Sequence, residues 1–177
     1  RRIDKVAQVK KPLMIVETTH IRVVWDTPKI VGANKKSYNA HEAAHLYARR
    51  LEELHARFQT MFGVDDSQNL KNLHTFMIFE NPTQAHLAAP PYTGLQGLPT
   101  VKRAGGSLQE SVVVTWWDKS VFSKDQDMYR EQTHHLIHQL TSVYYDVRWF
   151  PPGKLGLLPP WLHDKYGWLD EGLSHWF

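Results

Sequence analysis

Apolar residues come first in short β-rich stretches and then settle into a helical period. Leu13 to Glu17 and His20 to Asp26 are rich in β-branched residues, which predicts two strands joined by a short turn. Asp26-Thr27-Pro28 ends the second strand, and a Gly/Asn/Lys loop follows. From Ser37 to Phe62 the spacing changes. Ala40, Ala44, Tyr47, Leu51, Leu54, Phe58 and Phe62 fall on one stripe of a long helix, with Gly63 placed to cap it. His74 to Glu80 reads as a strand, and Asn81-Pro82-Thr83 opens a short helix running toward Ala89. Pro90 to Ser107, rich in Gly and Pro, reads as a long loop. The run from Ser111 to Trp117 is a strong strand, Asp125 to Tyr145 a helix, Asp146 to Lys165 a proline-containing loop, and Trp168 to Phe177 a final helix. This order predicts an α+β fold, with the long helix on one side of a small mixed sheet and the two late helices on the other.

Composition narrows the class. A chain of 177 residues fits a single domain spanning 1–177. The net charge of +3 is mild and the basic residues are scattered, which argues against a nucleic-acid partner. No cysteine is present, so disulfides and thiolate metal ligands are excluded. No apolar run reaches the ~20 residues that span a bilayer. The last residues, His175-Trp176-Phe177, lie inside an apolar segment without a cap, so the chain is expected to be a fragment of a longer protein.

The chemistry concentrates in the last third. His134 and His138 are four apart, so on a helix they share a face and can hold two corners of a zinc site. Glu171 follows 171 − 138 = 33 residues later on the next predicted helix. Two His and one Glu would leave a fourth position for water, as a catalytic zinc requires. Paired histidines on an amphipathic helix are otherwise ordinary polar surface or hydrogen-bonded core. Asp170 reads as a helix-start carboxylate, His175 as exposed or packing, and Tyr144, Tyr145, Trp161 and Trp168 as core or loop anchors.

The sequence YREQTHHLIHQL, a long loop, and then Trp168-Leu169-Asp170-Glu171-Gly172-Leu173 resembles the zinc half of gluzincin metallopeptidases, and within them the peptidase-MA-like domains. HIRVVWD, the helix ending in FQTMFG and the strand HTFMIFE extend the likeness over most of the chain. The resemblance implies a zincin-like fold, a long backing helix, zinc as cofactor and a peptide or protein as partner. It implies Glu171 as third ligand and the strand Ser111 to Trp117, through Val113, Val114 and Thr115, as the edge that docks an extended substrate. It also implies an extracytoplasmic setting, periplasmic or secreted, and is compatible with a place in a larger assembly.

The HExxH signature itself is altered, in either of two registers. With His134-His135-Leu136-Ile137-His138 as the motif, both ligands remain but His135 stands where the general base Glu belongs. With Arg130-Glu131-Gln132-Thr133-His134, the base remains as Glu131 but Arg130 replaces a ligand. His135 and Glu131 are therefore the two candidates for proton transfer, and His134 is common to both registers. These departures suggest a pseudopeptidase that binds or scaffolds, with an active zinc peptidase as the alternative. A literal HExxH also occurs at His41-Glu42-Ala43-Ala44-His45. It lacks a following E-G-L segment at suitable spacing, and its histidines flank the predicted buried stripe, which argues against a metal site there.

Overall fold

A computed structural model describes residues 13–32, 35–68, 73–88, 100–104, 107–117, 125–145 and 167–177; at 68, 86–88, 100–104, 107–111, 125–127, 142–145 and 167–171 it describes the backbone alone. The two early strands form as expected, β1 (Met14–Glu17) and β2 (Ile21–Trp25), antiparallel with Met14 opposite Trp25. The loop after them contains an unexpected hairpin, β3 (Lys29–Val31) against β4 (Ser37–Asn39). Lys35 sits at φ 63° in its turn. Ile30 and Tyr38 carry the hairpin onto the core.

Helix α1 (Ala40–Phe62) therefore starts three residues after the expected Ser37, at the first residue of its apolar stripe. The local reason is a capping box. The Asn39 side chain accepts from the Glu42 amide, and the Glu42 carboxylate accepts from the Asn39 amide, each at 3.0 Å. Gly63 ends the helix at φ 61°, its N–H donating to Gln59. Strand β5 (His74–Phe79) is buried along its whole length, as an inner strand should be. The short helix α2 (Pro82–Ala88) follows it, with Asn81 accepting from the Gln84 amide at 3.1 Å.

The expected loop from Pro90 to Ser107 is partly strand: β6 (Thr100–Ala104) pairs antiparallel with β7 (Ser107–Trp116), whose start lies four residues before Ser111. Helix α3 (Asp125–Tyr145) and helix α4 (Gly167–Trp176) complete the described elements. The main sheet has the order β1-β2-β5-β7-β6, with β2, β5 and β7 parallel at its centre and antiparallel strands outside. The protein is thus α+β with a small mixed sheet and, among the described residues, four α-helices.

Alternation along the parallel strands sorts the core into two layers. Val23, Phe76 and Val113 lie in register and point to one face; Val24, Met77 and Val114 lie in register and point to the other. The first face carries α1, through Tyr47, Leu51 and Phe58, and also α3, through Met128, Leu136, Ile137 and Leu140. Leu173 of α4 and Phe177 pack against the same cluster. The second face is covered by Ala85 of α2 with Leu13, Ile15 and Trp116. The expectation that the long helix and the late helices lie on opposite sides of the sheet is thereby corrected. Each has an apolar stripe wide enough for the sheet and its neighbour helix, so they share one face, and the short α2 caps the other.

Candidate functional site

Helix α3 carries the histidine cluster. Its inner face is apolar at Met128, Leu136, Ile137 and Leu140, but buried polar groups interrupt it at Gln132, Thr133, His135, His138, Gln139 and Thr141. Each such group costs free energy unless satisfied. Thr141 donates back to the carbonyls of Ile137 and His138, and Gln132 donates to Met128 Sδ. Gln139 Oε1 lies 3.1 Å from His74 Nδ1 on β5, a hydrogen bond that ties the helix to the sheet.

His134 and His138 come together. Their Nε2 atoms are 2.9 Å apart, with the rings edge to face at a centroid distance of 4.4 Å. His138 is buried and His134 half-buried. One Nε2–H donates to the other ring's Nε2. From α4, His175 brings its ring to 5.1 Å from His134, although it remains exposed to solvent. Glu171 lies on α4 four positions before His175; its side chain is outside the described residues, as are those of Asp170, Tyr144, Tyr145, Trp161 and Trp168.

Glu131 and His135 form a second pair one turn apart, with Glu131 Oε1 3.1 Å from His135 Nε2. That contact, working against burial, holds the Glu131 carboxyl below its ordinary range. His135 itself is buried, and its Nδ1 has no partner among the described residues. Arg130 is exposed. No group of three or more His, Asp or Glu poised for a metal ion occurs among the described residues.

Val113, Val114 and Thr115 are interior residues, and β7 is not the edge of the sheet. Their backbones pair with Phe76, Met77 and Ile78 of β5, and their side chains are buried. On the other side β6 covers β7 from Ser107 to Val112. β6 stops short of Val113, and it stands outside β7 in the strand order because residues 100–104, read as loop, add an antiparallel strand.

The literal HExxH on α1 is a helix start. His41 and His45 are exposed on the solvent face, and Glu42 is committed to the capping box.

A further cluster escaped sequence reasoning. His20 Nδ1 contacts Glu52 Oε1, and its Nε2 lies 3.0 Å from Asp66 Oδ1, which also accepts from Gln59 at 2.6 Å. A carboxylate at each nitrogen favours the protonated ring and, against burial, raises the His20 pKa. The His20 amide and the Thr18 hydroxyl both donate to Glu52 Oε2. His55 stacks on His20 at 4.0 Å and nearly parallel, and His74 lies 5.8 Å beyond it. Burial drives the His55 pKa down to about 4 and that of His74 down to about 3. The three rings come from a turn, a helix and a strand, so no local motif announces them.

No described helix is long and apolar enough to cross a membrane. No family model matches the chain, and no curated protein or solved structure matches it either.

Proposed function

We propose that this is a zincin-like, degenerate gluzincin domain that binds peptide or protein and scaffolds more than it hydrolyses. The observation that carries the reading is the convergence of His134 and His138, with Nε2 atoms 2.9 Å apart, on a helix where the neighbouring position holds a buried imidazole in place of a carboxylate. The donor chemistry fits zinc. Two imidazole nitrogens on one tetrahedral ion sit about 3.3 Å apart, within a small ring rotation of the observed separation. His134 and His138 would hold the ion, with Glu171 as third ligand by its W-L-D-E-G-L context.

When bound, zinc supplies a Lewis acid and an acidified water. Proton transfer falls to the chain, and the chain is poorly equipped for it. His135 is buried and faces Glu131. Glu131 is a carboxylate, but it is drawn to His135 and flanked by the permanently charged Arg130, which repels a cation. Loss of a positioned base costs ~10²–10⁴ in rate. An extended peptide would dock by strand addition along the outer backbone edge of β6. The alternative, an active zinc peptidase, is favoured by one observation: the Glu131 carboxylate is partly exposed, one turn before the histidine pair.

Zinc analysis and a peptide-library assay test both readings. We expect zinc to bind, His138→Ala to lower its affinity at least tenfold, and hydrolysis to be weak. His135→Glu, which restores the signature, should raise zinc-dependent cleavage by at least tenfold. Robust cleavage by the unaltered protein, abolished by His138→Ala, would sink the scaffolding reading. Failure to bind zinc would sink the active-peptidase reading and leave a metal-free binding domain.

A further inference from the structure

Helix α1 carries a second pair of imidazoles one turn apart. His41 and His45 are both exposed, with ring centroids 4.4 Å apart and planes inclined at 61°. Among the described residues neither makes a hydrogen bond or an ion pair; each ring's contact is the other. The backbone beneath them is held firmly. The capping box fixes the helix start at Asn39, and Ala43, Ala44 and Tyr47 anchor the opposite face in the core. The spacing of the two rings is therefore set before any ligand arrives, so chelation requires rotation of two side chains and no ordering of the chain.

We propose that His41 and His45 chelate a borderline divalent transition ion, with Cu²⁺ held more tightly than Ni²⁺ or Zn²⁺. Imidazole suits such ions, and the ranking follows their general order of affinity for nitrogen ligands. Two imidazoles at i and i+4 offer both nitrogens to one ion, as a helix-borne zinc motif does. The site is a binding site and not a hydrolytic one. Glu42, which the motif would use as base, accepts the Asn39 amide. No third His, Asp or Glu joins the pair among the described residues, so the remaining coordination positions fall to water or to a donor from another molecule. The positive end of the helix opposes a cation here, and Glu42 in the first turn offsets it. The site is independent of His134 and His138, which lie on another helix.

Equilibrium dialysis against CuCl₂, with the bound metal counted and its electron paramagnetic resonance spectrum recorded, tests this on the full chain. The unaltered protein should hold one more equivalent of copper than the His41→Ala/His45→Ala variant. The spectrum of that equivalent should show two nitrogen ligands. Each single variant should lose the same equivalent, since one imidazole does not chelate, and His134→Ala should keep it. All the α1 substitutions are at exposed positions, so helical circular dichroism should be unchanged. An equal copper count in the double variant and the unaltered protein overturns the proposal. So does retention of the full equivalent by either single variant.

Discussion

His55 and His74 are neutral imidazoles packed into a core, and that sets a pH window. Both have pKa values depressed from 6.5, to about 4 and about 3. A histidine depressed in the folded state contributes stability that is full above pH 6.5 and lost as pH falls toward the folded value, because the unfolded chain takes up the proton first. His20 works in the opposite sense. Burial disfavours its charge, but Glu52 and Asp66 outweigh burial and raise its pKa. Its contribution is therefore full below pH 6.5 and fades as pH rises through the raised value. The thermal midpoint should peak near neutrality and fall between pH 6.5 and 4, as a pH series of melts would record. His55→Phe, which keeps a ring against His20, should flatten the acid limb; an unchanged limb would contradict the burial argument. The candidates on α3 could be named from sequence because His134 and His138 are four apart on one strongly helical segment. The His20–His55–His74 column could not, since its members are separated by dozens of residues and meet only through tertiary packing.

The elements that could be read were those with a helical period or a run of β-branched and aromatic residues. The stripe on α1 and the apolar runs of β1, β2, β5 and β7 were plain. The strands β3 and β4 have three residues each and follow turn-forming residues, while β6 lies in a Gly- and Pro-rich stretch and carries Lys102 and Arg103 as edge strands do. Tyr38 looked like part of the helical segment because an apolar residue just before a cap is compatible with either assignment. The caps of α1 make the strongest local test. Asn39→Ala should destabilise the protein by about 1 kcal/mol in urea unfolding, through loss of an N-cap bond. Gly63→Ala should cost a similar ~1 kcal/mol, since φ 61° penalises any Cβ. Nothing lies within 4 Å of that Cβ, so the cost is purely conformational and Gly63→Asn should recover much of it.

In the whole molecule, the layer order decides how the site is supported. The face that holds α1 also holds α3, so the His134–His138 pair rests on a core to which Phe76 contributes from the central strand. Phe76→Ala should cost ~3–5 kcal/mol of stability, read by chemical denaturation. The sequence order of elements foretold the α+β class. It did not foretell which face each helix takes, because two amphipathic helices obey the same pattern on either side of a sheet. The parallel centre of that sheet has a consequence in time. Between Trp25 and His74, strands β2 and β5 are joined by 74 − 25 − 1 = 48 residues, nearly half of which form α1. Their hydrogen bonds cannot be tested against alternatives until that whole segment has been laid down. On a ribosome, β2 emerges with β1 but well before its parallel partner β5 exists, so that edge waits unpaired. Local helix formation in α1 shortens the gap, but the pairing remains long-range, and long-range strand pairing slows folding relative to helical bundles with local contacts. The protein's vulnerable interval is therefore during synthesis, and a companion that shields β2 at that stage would act on yield without touching the finished fold.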